Sequence, residues 1–215
     1  MTEISASILE VDPLSYYESI KEAVENGISL IHFDVTDGLY AKRISFGDRL
    51  VRSVLKRFDV KGEVHLMVSR PEVQVESFLD IEKLETVYFH PDSSSDPINV
   101  IRKIKDCDKK AGIVLSMNAQ ANIDLLREAD AVLLLLVKPG EGGQKLDVNG
   151  ISKIEELKLL RKNLKLNFTI AADGGIKPDN AKEVAEAGAD VLVIGTGIFY
   201  GNIAENIRRI KEHLS

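Results

Sequence analysis

Residues Asn167 to Ile194 read NFTIAADGGIKPDNAKEVAEAGADVLVI. The stretch opens on an apolar run, Asn167 to Ala172, that ends in Asp173-Gly-Gly175. It passes through Pro178-Asp-Asn-Ala-Lys-Glu-Val-Ala-Glu-Ala-Gly188 and closes on a second apolar run, Val191 to Ile194. Proline near the start and glycine at the stop predict a helix over 178–188, with the proline in its first turn. Val191 to Ile194 is wholly apolar and the first run is continuous from Ile170 to Ala172, so each predicts a strand covered on both faces. Strand, helix and parallel strand together form the repeating unit of an α/β sheet.

Working outward, the same unit fills the chain. Further strands are predicted at Ile4 to Leu9, Leu30 to Val35, Glu63 to Val68, Thr86 to His90, Ala111 to Leu115 and Ala131 to Val137, making eight in all. Helical spacing of apolar residues falls between them at Pro13 to Asn26, Gly47 to Phe58, Ile98 to Lys105 and Val148 to Lys162. The stops Glu25-Asn-Gly27 and Glu186-Ala-Gly188 look alike, as repeats of one unit would. A single (β/α)8 barrel over residues 1–215 is expected, near the lower size limit of that architecture. An open doubly wound sheet is the alternative. It would carry Gly-x-Gly-x-x-Gly after the first strand, where this chain has Ser7-Ile-Leu-Glu-Val-Asp12.

Composition narrows the function classes. With 28 basic and 34 acidic residues the formal charge is -6, which argues against broad nucleic-acid binding yet permits a local anion site. The opening MTEISASILEVD has no basic segment followed by an apolar core, and no apolar run approaches the roughly 18 residues of a membrane span. A soluble, cytoplasmic protein is expected. Cys107 is the sole cysteine and sits between Asp106 and Asp108, so no intrachain disulfide and no reactive thiolate is expected.

Polar residues concentrate where barrel strands end, the face on which such folds build their chemistry. His32 and Asp34 are two apart on one strand and therefore share a face. With His65 and Asp173 they form a set of two histidines and two carboxylates from three strands. That set suits a divalent transition metal, zinc first, with iron, cobalt or manganese as alternatives. Taken singly, a strand histidine is more often a hydrogen-bonded core residue and a strand-end aspartate a loop cap. His90, before Pro91, reads as a wall residue or one packed behind a ligand, and His213 as solvated. Glycines follow three consecutive strands: Lys138-Pro-Gly-Glu-Gly-Gly-Gln144, with Gly140, Gly142 and Gly143; Gly174-Gly175; and Gly195-Thr196-Gly197. Tight turns use glycine, and so do loops that bring backbone N–H groups up to a phosphate.

At these residues the chain resembles the ribulose-phosphate 3-epimerase family, from Ser7 to about Phe199. Ala6-Ser-Ile-Leu9, His32 to Gly38, Glu63 to Val68, Pro139 to Gln144 and Ala172 to Gly175 each look like a family motif. The resemblance implies a barrel that epimerises C3 of a ketose phosphate, with D-ribulose 5-phosphate and D-xylulose 5-phosphate as the expected pair. It makes His32, Asp34, His65 and Asp173 ligands of one divalent metal ion, and Asp34 and Asp173 the two proton carriers. Ser7 and His65 would touch substrate, and Gly140, Gly142, Gly143, Gly174, Gly175, Gly195 and Thr196 would line the phosphate site. A homo-oligomer is expected on the same ground. Several positions depart from the family. Thr36 and Leu135 stand where methionines are usual, Tyr40-Ala-Lys-Arg43 replaces Phe-Val-Pro-Asn, Ser116-Met117 replaces Asn-Pro, and Ala172 replaces valine. Lys42, Arg43 and Lys138 add positive charge that could accept a longer or more anionic sugar phosphate. The alternatives are therefore a 3-epimerase of a hexulose 6-phosphate such as D-allulose 6-phosphate, and a paralogue that binds a sugar phosphate without turnover. The decarboxylase and hexulose-phosphate synthase group places lysine two residues after the strand-two aspartate, where this chain has Thr36.

Overall fold

The structure, a computed structural model, describes residues 2–137, 143–147 and 149–214. Eight strands pair in sequence order: β1 (Glu3–Ser7), β2 (Leu30–Thr36), β3 (Lys61–Met67), β4 (Leu84–Phe89), β5 (Lys110–Ser116), β6 (Ala131–Leu135), β7 (Thr169–Asp173) and β8 (Val191–Ile194). Every pairing is parallel, and β8 closes on β1 through Glu3 opposite Val191 and Ala6 opposite Ile194. The closed eight-stranded barrel expected from the apolar pattern is the fold found. An α-helix lies between each pair of successive strands: α1 (Tyr16–Glu25), α2 (Asp48–Arg57), α3 (Pro71–Gln74), α4 (Pro97–Lys105), α5 (Ile123–Glu128), α6 (Gly150–Asn163) and α7 (Ala181–Ala187). Two more, α8 (Thr196–Phe199) and α9 (Ile203–Leu214), follow β8. Among the described residues no helix is long and apolar enough to cross a membrane.

The helix expected from Pro178 begins three residues later. Asn180 accepts from the Lys177 N–H through its side-chain oxygen at 2.8 Å, forming a turn that contains the proline and delays the first helical residue to Ala181. Its stop falls as expected: Gly188 has φ +125°, a conformation that L side chains rarely adopt. Pro13–Ser15 likewise form a separate 3-10 turn ahead of α1.

Strand alternation divides the side chains into two sets. Ile31, Phe33, Val64, Leu66, Val87 and Phe89 point outward into the layer between barrel and helices. The inward set is split across the barrel. On β5 to β8 it is mainly apolar, with Val114, Leu133, Leu135, Ala171 and Val193, Asp173 at the end of β7 being the exception. On β1 to β3 it is mainly polar and just as buried, with Ser5, Ser7, His32, Asp34, Glu63 and His65 beside the apolar Leu30. Tyr88 on β4 spans the two halves, packing with the apolar cluster while its hydroxyl lies 3.4 Å from Glu63 Oε2.

Gly112 on β5 makes room for that ring. A Cβ there would fall 2.1 Å from Tyr88 Cδ1, and the ring is 1% exposed and has nowhere to retreat. Gly112→Ala is expected to lower stability by about 1–3 kcal/mol, the usual cost of overpacking. It should appear as a lower denaturant midpoint at unchanged slope; an unchanged midpoint would contradict the close seating of the ring.

Candidate functional site

β2 and β3 run in register with Asp34 opposite His65 and His32 opposite Glu63. Alternation then brings all four side chains inside the barrel, and β7 contributes Asp173 at its last residue. One ligand-type atom from each of His32, Asp34, His65 and Asp173 can be chosen so that all lie within 4.8 Å of one another. His32 Nε2 is 3.4 Å from Asp34 Oδ1, and His65 Nδ1 is 3.2 Å from Asp34 Oδ1 and 3.7 Å from Asp173 Oδ2. The two histidines are fully buried and Asp34 is 4% exposed. The sequence-derived quartet therefore converges.

The surroundings fit a divalent ion. His32 Nδ1 is 2.7 Å from Glu63 Oε1, a carboxylate that can only accept, so this nitrogen carries a proton and Nε2 is the nitrogen that faces the cluster. Nε2 is buried and makes no hydrogen bond. Buried polar atoms without partners are rare in folded proteins, and a metal ion held by these residues would be such a partner. Two imidazoles and two carboxylates suit zinc, iron, manganese or cobalt better than calcium or magnesium. Glu63, 2% exposed, is held in turn by the Ser5 hydroxyl at 2.6 Å. Neither residue was singled out from the sequence. The available signal was strand period: Glu63 lies two before His65 and Ser5 two before Ser7.

The carboxylates are unequal. Burial works to raise the pKa of Asp34, but His32 and His65 outweigh it and hold the group well below the usual carboxylate range. The Ser7 hydroxyl donates to its other oxygen, Oδ2, at 2.7 Å. Asp173 is shifted upward, by burial and by the negative charge of Asp34. His32 is raised despite its burial because Asp34 and Glu63 favour its charged form.

His90 is not merely a wall residue. Its ring stacks on His65 at 5.0 Å, with the two Nε2 atoms 2.9 Å apart, and its Nδ1 is 2.8 Å from the Tyr40 hydroxyl. Burial and His65 push its pKa down to about 2. His213 is exposed, as expected, and its Nδ1 bonds to the Pro178 carbonyl at 2.6 Å.

A pocket of about 550 Å³, counted out to its open mouth, has Asp34, Asp173 and Ser7 in its lining. Gly143, Gly174, Gly175, Gly195 and Thr196 line it as well. Gly140, Gly142 and Lys138 lie outside the described residues. Two of the glycines also have a packing reason. Gly175 has φ +70° and a Cβ there would fall 2.1 Å from the Leu146 nitrogen, while one at Gly174 would fall 2.5 Å from a Val137 methyl. They let the β7–α7 loop lie against the segment after β6. Arg43 pairs with Glu10, another pocket-lining residue, and so links the β2–α2 and β1–α1 loops.

Comparison with known proteins agrees with this geometry. The model of the ribulose-phosphate 3 epimerase family matches residues 3–199. The chain is 31% identical to ribulose-phosphate 3-epimerase of Aquifex aeolicus, covering 98% of this chain and 96% of that protein. It is 34% identical to the enzyme of that name from Methanocaldococcus jannaschii, covering 93% of this chain and 85% of that one. In fold it is similar to 3-hexulose-6-phosphate synthase from Salmonella typhimurium, with TM-score 0.72, 15% identity and coverage of 99% and 98%.

Asp37 secures the mouth. Its Oδ1 accepts from the N–H groups of Leu39 and Tyr40 at 2.8 and 2.9 Å, and its Oδ2 from Ser69 N–H at 2.7 Å, tying the loop after β2 to the loop after β3. Burial opposes ionisation, but these donors prevail and lower the pKa to about 2. A depressed folded-state pKa contributes stability that is present above the unfolded value and lost as pH falls through the folded one. Asp37→Asn, which cannot accept at both positions, is expected to cost about 1–2 kcal/mol at pH 7. Against pH, wild type should lose this advantage between about 4 and 2; parallel stability curves for the two proteins would contradict the assignment.

Proposed function

The chain belongs to the ribulose-phosphate 3-epimerase family, and from that premise we propose that it interconverts D-ribulose 5-phosphate and D-xylulose 5-phosphate using Asp34 and Asp173 as paired proton carriers. The observation that carries the proposal is the buried convergence of His32, Asp34, His65 and Asp173 at a pocket lined by glycine loops. These four residues would hold one divalent ion, zinc first, with iron, manganese or cobalt as alternatives. When bound, the ion supplies positive charge that stabilises the negative charge developing on the substrate oxygens at C2 and C3.

Epimerisation next to a ketone needs a base on one face of C3 and an acid on the other. The opposed shifts of the two aspartates support that division of labour. Asp34, kept ionised by its histidine neighbours and held by the Ser7 hydroxyl, takes the C3 proton while the electron pair moves onto the C2 oxygen as an enediolate. Asp173, whose protonated form is favoured by burial and by Asp34, returns its own proton to the opposite face. The reverse reaction exchanges these roles. Backbone N–H groups of Gly143, Gly174, Gly175, Gly195 and Thr196 hold the phosphate and so orient C3 between the carboxylates.

The test is proton NMR of D-ribulose 5-phosphate in D2O with protein loaded with zinc, iron, manganese or cobalt in turn. Deuterium should enter C3 as xylulose 5-phosphate appears, and Asp173→Asn should slow both by at least about 10²-fold. Absence of exchange with every metal would overturn the ribulose-phosphate assignment. D-allulose 6-phosphate in the same tube distinguishes a hexulose-phosphate epimerase from a barrel that only binds.

A further inference from the structure

The two proposed histidine ligands point different nitrogens at the cluster, and each needs its other nitrogen in a defined proton state. For His32 the neighbouring Glu63 carboxylate meets that need directly, at 2.7 Å from Nδ1. His65 offers Nδ1 to Asp34 and Asp173, and its Nε2 faces another imidazole, His90 Nε2 at 2.9 Å. An imidazole neighbour leaves the proton's position undecided, because either ring can donate.

The decision is made further out. His90 Nδ1 is 2.8 Å from the Tyr40 hydroxyl, and that hydroxyl is 3.1 Å from Asp92 Oδ1. These contacts form one chain, His65–His90–Tyr40–Asp92, from the buried cluster to an exposed carboxylate. We propose that Tyr40 and Asp92 are positioning residues that act through His90 to set the tautomer of His65 in which Nδ1 is free to bind a metal ion. The inference rests on the metal site read above.

Two polarities of the chain are possible. In the inward one, His65 carries its proton on Nδ1 against Asp34, His90 Nε2–H donates to His65, and the Tyr40 O–H donates to His90. Nothing then donates to Asp92 from this chain. In the outward one, His65 Nε2–H donates to His90 Nε2, His90 Nδ1–H donates to the Tyr40 oxygen, and the Tyr40 O–H donates to Asp92. Both polarities hold three protons: one on each imidazole and one on the phenol. Passing from inward to outward moves a proton from His90 to His65 and another from Tyr40 to His90. The His65 Nδ1 proton passes to bulk water and Tyr40 takes one up from bulk water, so the net charge of the chain is unchanged. Only the outward state makes the charge-assisted Tyr40–Asp92 hydrogen bond, a stronger class than its neutral counterparts. Only the outward state leaves Nδ1 with an open lone pair. The carboxylate at the surface therefore favours a metal-ready nitrogen at the centre.

The experiment is zinc affinity by competition with a chromophoric chelator, for wild type, Tyr40→Phe, Asp92→Ala and the double variant. It is paired with imidazole nitrogen-15 NMR of the zinc-loaded proteins. Each single variant should bind zinc about 3- to 10-fold more weakly, below the 10–100-fold typical of groups touching a ligand directly. The double variant should be no weaker than Tyr40→Phe, because both act through one chain. In zinc-loaded wild type, His90 should carry its proton on Nδ1. Unchanged affinity in Tyr40→Phe, unchanged affinity in Asp92→Ala, additive losses, or a proton on His90 Nε2 would each overturn the proposal. Equal melting temperatures of the metal-free proteins distinguish this effect from misfolding. If wild type itself takes up no zinc, it is the metal reading that fails.

Discussion

Asp34 and Asp173 approach each other inside a barrel whose other contents at that level are largely imidazole and hydrocarbon. Two carboxylates so close cannot both hold unshielded charge away from water. Much else follows from how that conflict is relieved. His32 and His65 lower the pKa of Asp34, and Ser7 donates to it. Asp173 is left as the member that favours its proton. Glu63 then fixes the proton of His32, and Ser5 and Tyr88 approach Glu63 in turn. Satisfied in this way, a buried polar network helps to specify a core; half satisfied, it would destabilise one.

The division of the barrel interior follows from the same constraint. The network occupies most of the inward positions of β1 to β3, takes in Asp173 at the end of β7, and is bounded by a mainly apolar wall from β5 to β8. Such a wall lowers the local dielectric and makes each charge–charge and charge–dipole interaction in the pocket count for more than it would in water. The asymmetry also leaves the two aspartates on different sides of the opening, one on β2 and the other on β7.

The barrel was legible because fully covered strands leave near-continuous apolar runs, and all eight lie close to where those runs fall. The convergence of His32, Asp34, His65 and Asp173 was legible from strand period and strand-end position. Less visible was whatever depends on contacts between distant loops. His90 has no informative neighbour in sequence, and its partner Tyr40 is fifty residues earlier. Arg43 looked like free charge for an anion, yet Glu10, thirty-three residues away, pairs with it. Gly175 suggested a phosphate contact, while its clash partner Leu146 supplies a packing reason that no local pattern carries. Pro178 was misplaced by three residues because the Asn180 side chain captures the Lys177 N–H.

The central claim is that His32, Asp34, His65 and Asp173 form one metal centre between the two proton carriers. Its most direct test is a crystal structure of zinc-loaded protein, with anomalous diffraction recorded on both sides of the zinc absorption edge. One strong zinc peak is expected inside the barrel, bonded to His32 Nε2, His65 Nδ1 and an oxygen of each aspartate. A barrel interior without such a peak, or zinc bound only at surface carboxylates, would contradict it.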